Sequence, residues 1–262
     1  MIHNILKIFK NGYHVLLLPL IVYPLIQIRN ENVVPFRQQC KIDATNTCEK
    51  SQNWSAALLS ATITLKVFPA NYFFWYSHKF DYGFANSEYN QLKQFVRFTD
   101  TGYLASILAI MSSSYVSNAF NIHFAITFGY WIARAVLGLD DVDRTNGPEY
   151  DVGFERLWGG LVHSVPLTIL TYYLVFENTR EEDTCPYYFS PRDLMMSYAW
   201  LWTWFFAVYI PWRIRTGDPV YGFMDRKTPH GYKFAGIVLM HVLLTISNVV
   251  GRYIHVVVAN RY

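Results

Sequence analysis

Six stretches of this chain, residues 54–76, 98–116, 119–139, 157–176, 194–212 and 234–258, each run for about twenty mostly apolar residues. At about 1.5 Å per residue, a helix of that size matches the roughly 30 Å hydrocarbon core of a bilayer. In hydrocarbon, a helix is the one element that satisfies all its backbone groups within a single segment. Composition agrees: 52% of the residues are hydrophobic and only 16% charged, against about 25% charged in soluble domains. Aromatic residues make up 18%, and Trp and Tyr favour the level where acyl chains meet headgroups. The fold class expected is therefore all-α, a polytopic transmembrane helix bundle of six core helices plus one short amino-terminal helix. The short helix is the run 13–28, which carries Pro19 and Pro24 and must extend back towards Ile5 to cross. Residues 1–53 read as an amino-terminal membrane anchor and luminal loop, and residues 54–262 as one six-helix membrane domain.

Lys7 and Lys10 precede the apolar Val15–Val22, as in a signal peptide, but no small-x-small cleavage site follows, so an uncleaved anchor is expected. With that helix spanning, twelve of the 22 Lys and Arg residues fall on one side and seven on the other, with Lys66, Arg134 and Arg252 inside segments. The richer side is cytosolic by the positive-inside rule, which places the amino terminus there. Cys40, Cys48 and Cys185 then all lie in non-cytosolic loops, where an oxidising lumen permits a bridge between Cys40 and Cys48 or between either and Cys185. The net charge of +3 is spread along the chain, without the basic face that nucleic-acid binding needs.

Polar groups inside membrane segments are costly and are the first place to look for function. Here they are Lys66, Thr99, Asp100, His123, Arg134, His163, His241, Arg252 and His255. Lys66 and Arg134 have stems long enough to reach headgroups, and Arg252 with His255 sits near a helix end where headgroup pairing is expected. No two of the eight histidines lie within four residues of each other, so the close spacing of membrane metalloenzymes is missing. No Gly-x-Ser-x-Gly elbow occurs. Asp140, Asp141 and Asp143 offer a minor magnesium alternative, with Arg144 beside them as a solvated loop. Thr99 and His163 lie near the same-side ends of two segments at comparable depth. A threonine hydroxyl needs a base before it attacks, and a neutral imidazole suits that task.

The stretch Arg97-Phe98-Thr99-Asp100, the pair Tyr130-Trp131, the run His163-Ser164-Val165-Pro166-Leu167 and the turn Gly217-Asp218-Pro219-Val220-Tyr221-Gly222-Phe223 occur in that order. Together they resemble the androgen-induced and androgen-dependent TFPI-regulating family of multi-pass membrane proteins over roughly residues 54–258. That family includes hydrolases of fatty acid esters of hydroxy fatty acids and fungal endoplasmic reticulum members. The resemblance implies Thr99 as nucleophile, with Thr101 the neighbouring alternative, and His163 as its histidine. This chain departs from the family at Gly222, where proline is common, and in the extra apolar run before the six matching helices.

The expected activity is a threonine-dependent carboxylic ester hydrolase that needs no cofactor and no metal and acts on a membrane lipid. The alternative is a non-catalytic multi-pass protein, an assembly subunit or lipid-organising factor. Cysteine-accessibility mapping should find the loop 77–94 on the cytosolic side; a luminal loop would overturn the orientation.

Overall fold

The computed structural model describes residues 40–42, 48–50, 54–67, 96–136, 152–177, 188–221 and 224–259. Among them the chain is helical. In order come α1 (Trp54–Val67), α2 (Phe98–Met111), α3 (Val116–Val136), α4 (Val152–Tyr172), α5 (Pro191–Thr203), α6 (Ile210–Thr216) and α7 (His230–Ala259). A short 3-10 segment, Ser113–Tyr115, joins α2 to α3; π-helical turns Tyr173–Glu177 and Trp204–Tyr209 extend α4 and fuse α5 to α6 into one run. The six apolar segments thus each correspond to one helical run. The run 13–28, the loop 77–94, the acidic cluster Asp140, Asp141 and Asp143, and Cys185 lie outside the described residues.

Several boundaries shift, with α4 starting at Val152 and α7 at His230, and two of the shifts have local reasons. Helix α2 ends at Met111, because Ser112 is extended (φ −154°, ψ 126°) and its hydroxyl bonds Ser114 at 2.8 Å, a local bond that competes with helical pairing. At 14 residues α2 is only about 21 Å long. Helix α5 starts at Pro191 rather than Leu194, because Ser190 and Asp193 form a reciprocal capping box with proline in the first turn. Among the described residues, two helices are long and apolar enough to cross a membrane, at Gly159–Phe176 and His230–Val257.

Helix α3 is the hub, packed against α2, α4, α5 and α7. From Val116 to Thr127 every residue is buried, as expected for a helix surrounded on all faces. It nevertheless brings Asn118, Asn121 and His123 into the core, and such groups must find protein partners. Asn121 donates to Ser197 Oγ and to Asn248 Oδ1, both at 3.1 Å, and accepts from Ser247 Oγ at 2.8 Å. Asn118 also donates to Ser197, whose own hydroxyl donates to the Asp193 carbonyl. One amide thereby ties α3 to α5 and α7.

Phe189 extends this network. Its N–H donates to Ser117 Oγ and its carbonyl accepts from Asn248 Nδ2. These bonds hold a left-handed backbone, φ 60°, that a phenylalanine seldom adopts. Its ring meets Phe120 edge-on at 5.3 Å and lies on Gly251 of α7, where an added Cβ would come within 2.2 Å of the ring.

Cys40 and Cys48 fall on the antiparallel strands β1 (Cys40–Ile42) and β2 (Cys48–Lys50), where Cys40 pairs with Lys50 and Cys48 with Ile42. Diagonal positions of this kind have Cα atoms about 7–8 Å apart, slightly beyond the usual disulfide span of about 4.4–6.8 Å.

Gly251→Ala should lower stability by about 1–3 kcal/mol, since a rigid ring must move from a filled site. A reduced thermal midpoint in detergent checks this, and an unchanged midpoint would contradict the Phe189 seat.

Candidate functional site

Thr99 is the second residue of α2, and His163 lies halfway along α4. Their side chains meet: Thr99 Oγ1 is 3.2 Å from His163 Nε2. The other ring nitrogen fixes the direction of that bond. His163 Nδ1 lies 2.6 Å from the carbonyl oxygen of Gly159, and a carbonyl only accepts. Nδ1 therefore carries the hydrogen and donates, Nε2 keeps its lone pair, and the Thr99 hydroxyl donates to it. A hydroxyl pointed at a bare imidazole nitrogen, with the second nitrogen held by an acceptor, is the arrangement of an activated nucleophile. The orienting group is a neutral backbone carbonyl. Asp100 is half-buried in the first turn of α2.

Helix α4 is held at this turn because of Pro166. A proline has no N–H, so the carbonyl four residues earlier, that of Val162, loses its helical donor. The Tyr103 hydroxyl of α2 replaces it, donating to Val162 O at 2.9 Å. The Thr127 hydroxyl of α3 donates to the next carbonyl, that of His163 itself. Two neighbouring helices thus grip the backbone of the histidine.

The imidazole plane is fixed by Tyr130, stacked on it with centroids 4.0 Å apart and planes 12° apart. This approach requires Gly159, where a Cβ would sit 2.9 Å from the Tyr130 hydroxyl oxygen. Trp131 packs on Gly160 and donates its indole N–H to Ser164 Oγ at 3.0 Å. Arg134 donates to the Tyr130 hydroxyl at 2.9 Å, and its guanidinium sits 5.8 Å from the Trp131 centroid.

The helix that bears Thr99 is equally constrained. Thr101, the alternative nucleophile, donates its hydroxyl hydrogen to Phe98 O at 2.7 Å and accepts from the Trp200 indole at 3.3 Å. Its proton is committed to a carbonyl, so the geometry singles out Thr99. The Trp204 indole donates to Val96 O at 2.7 Å, and the Phe98 N–H donates to the Tyr221 hydroxyl at 2.8 Å.

A second hydroxyl–imidazole pair lies deeper, with Ser106 Oγ 2.7 Å from His123 Nε2. Both residues are fully buried. A Cβ placed at neighbouring Gly102 would meet Ile126 at 2.5 Å and the His123 ring at 3.2 Å. Nothing the size of an ester fits there, so this pair reads as packing. Elsewhere, His241 accepts the Trp202 indole N–H at 3.1 Å. Arg252 is exposed as expected near a helix end, but His255 turns inward against Tyr188, at 5.2 Å between centroids. The Lys66 side chain lies outside the described residues. Among the described residues no three His, Cys, Asp or Glu side chains cluster as metal ligands.

Nitrogen-15 NMR of histidine-labelled protein near neutral pH should show His163 with Nδ1 protonated and Nε2 bare. The opposite tautomer would remove the lone pair from Thr99.

Proposed function

We propose that this chain, which no protein-family model, curated protein or solved structure matches, is a multi-pass membrane protein that hydrolyses lipid esters, using Thr99 as nucleophile and His163 as general base and then general acid. The observation that carries this reading is the 3.2 Å contact between Thr99 Oγ1 and a His163 whose Nδ1 is held by Gly159. It falls within the reach of about 2.6–3.2 Å that proton transfer requires.

In this mechanism Nε2 takes the Thr99 hydroxyl proton as Oγ1 attacks the ester carbonyl carbon. The imidazolium returns that proton to the departing alkoxide oxygen, which leaves as an alcohol and gives an acyl-threonine. Water, deprotonated by the same Nε2, then releases the carboxylic acid and restores the hydroxyl. Negative charge developing on Thr99 lies at the amino-terminal end of α2, the positive end of the helix dipole.

The membrane part of the proposal rests on the outward faces. Phe128, Trp131, Phe176, Phe206, Phe234 and Val249 are exposed on the α3, α4, α5–α6 and α7 runs, a spread of large apolar groups suited to acyl chains. The break between α2 and α3 is irregular backbone, and its Ser112 and Ser113 are buried, as membrane depth demands. All six helical runs are then placed in the bilayer, in the endoplasmic reticulum by the resemblance and the cysteine-bearing loops. The substrates are fatty acid esters of hydroxy fatty acids or related esters, which reach the site laterally.

One observation favours the non-catalytic alternative: the Thr99 side chain is 7% exposed, so substrate entry requires a movement near the site. A fluorophosphonate probe separates the two readings. The wild-type protein should be labelled and Thr99→Ala should not. Thr99→Ala and His163→Ala should each lower ester hydrolysis at least about a hundredfold, with the double variant losing nothing more. A folded protein that neither reacts with the probe nor hydrolyses esters would establish the non-catalytic reading.

A further inference from the structure

We infer that Tyr221, in the turn before α7, is a positioning residue for the nucleophile, acting together with Trp204; this rests on the hydrolase reading above. The argument starts from the unpaired start of a helix. The first N–H groups of α2 have no helical acceptor, and Arg97, which precedes Phe98, supplies no side-chain cap. The Asp100 and Thr101 N–H groups fold back onto Arg97 O at 3.0 and 3.4 Å. The Phe98 N–H, one residue before Thr99, instead donates to the Tyr221 hydroxyl, 123 residues away in the sequence. A phenol from a distant turn thus replaces the Ser, Thr, Asp or Asn that caps most helices.

Trp204 fixes the same turn from the other side. Its indole donates to Val96 O, and its ring packs edge-on against Phe98 at 5.2 Å and tilted against Tyr221 at 6.2 Å. Trp204 opens the π-helical turn Trp204–Tyr209, and such turns re-aim side chains and are frequent at functional sites. The turn bearing Tyr221 is itself braced. Trp212 donates to Asp218 Oδ2 at 2.9 Å, Arg213 donates to Gly217 O, and Val220 holds a left-handed φ of 61°. A non-glycine residue in that conformation carries backbone strain, which structures keep where a side chain must be aimed.

The consequence for chemistry is geometric. The Thr99–His163 contact is at the long end of the productive range. Releasing the Phe98 N–H lets the first turn of α2 fray and carries Oγ1 away from Nε2, and a displacement of about 1 Å costs up to about a hundredfold in rate. Tyr221 holds the Phe98 backbone, so its removal should act on turnover and leave substrate binding alone.

The test compares wild type, Tyr221→Phe, Trp204→Phe and Tyr209→Phe in the full-length protein in detergent. Tyr209 belongs to the same aromatic cluster, 5.6 Å from Trp204 between centroids, and serves as the matched loss of a hydroxyl that caps nothing. Expected are a fall in kcat of about 10- to 100-fold for Tyr221→Phe and Trp204→Phe with KM within about twofold, and slower fluorophosphonate labelling in proportion. Tyr209→Phe should match wild type. Amide hydrogen exchange over residues 98–101 should rise at least about tenfold in Tyr221→Phe alone of the two tyrosine variants, with the thermal midpoint little changed. Wild-type kcat in Tyr221→Phe, a rise in KM at constant kcat, or unaltered exchange over 98–101 would overturn the assignment. A wild-type protein without hydrolysis would count against the hydrolase reading instead, while the exchange data would still decide the clamp.

Discussion

A polar group buried in this bundle has no water to turn to, and both its packing and its candidate chemistry follow from that. Where Pro166 removes a donor from α4, the Tyr103 hydroxyl supplies one. Where α3 brings Asn121 into the core, Ser197, Ser247 and Asn248 supply three bonds to its amide. The same constraint chooses the His163 tautomer, because the Gly159 carbonyl takes the hydrogen of Nδ1 and leaves Nε2 for Thr99. Such bonds are individually modest, about 0.5–1.5 kcal/mol net. Leaving one unmade in an apolar interior costs more, and that asymmetry pins the partners in place.

Much of the helical order was legible in the sequence because apolar length is a strong signal. Trp54 and Phe98 begin both an apolar segment and a helix. The ends were less legible, since a Ser-rich turn after Met111 and a capping box at Ser190 act through hydrogen bonds that hydropathy does not register. The hub role of α3 was invisible for a related reason. Its sequence looks like any other apolar segment, and only the three-dimensional arrangement shows that Asn118 and Asn121 face α5 and α7. Apolar runs of similar length also become unequal helices, such as the 14 residues of α2 and the 30 of α7.

At the candidate site the sequence pointed to the two side chains that meet, through shared entry side and the motifs around them. It did not point to what holds them. The orienter is a backbone carbonyl, which has no signature of its own, although Gly159 marks the close approach of Tyr130. Tyr103 could have been sought from Pro166, since a proline within a helix announces an unpaired carbonyl four residues earlier. Which helix answers it is a tertiary fact. Ser106 and His123 show the converse: a tighter hydroxyl–imidazole contact than the candidate pair, closed off by complete burial.

The central claim is that Thr99 carries the acyl group during turnover. Rapid acid quench of the full-length protein mixed with an isotopically labelled hydroxy-fatty-acid ester, followed by peptide mass spectrometry, addresses it directly. The account predicts a labelled acyl mass on Thr99 within the peptide spanning α2, accumulating before free acid appears. An acyl group found on Thr101, Ser106 or any other residue, or hydrolysis that proceeds with no acyl-protein at any time, would contradict it.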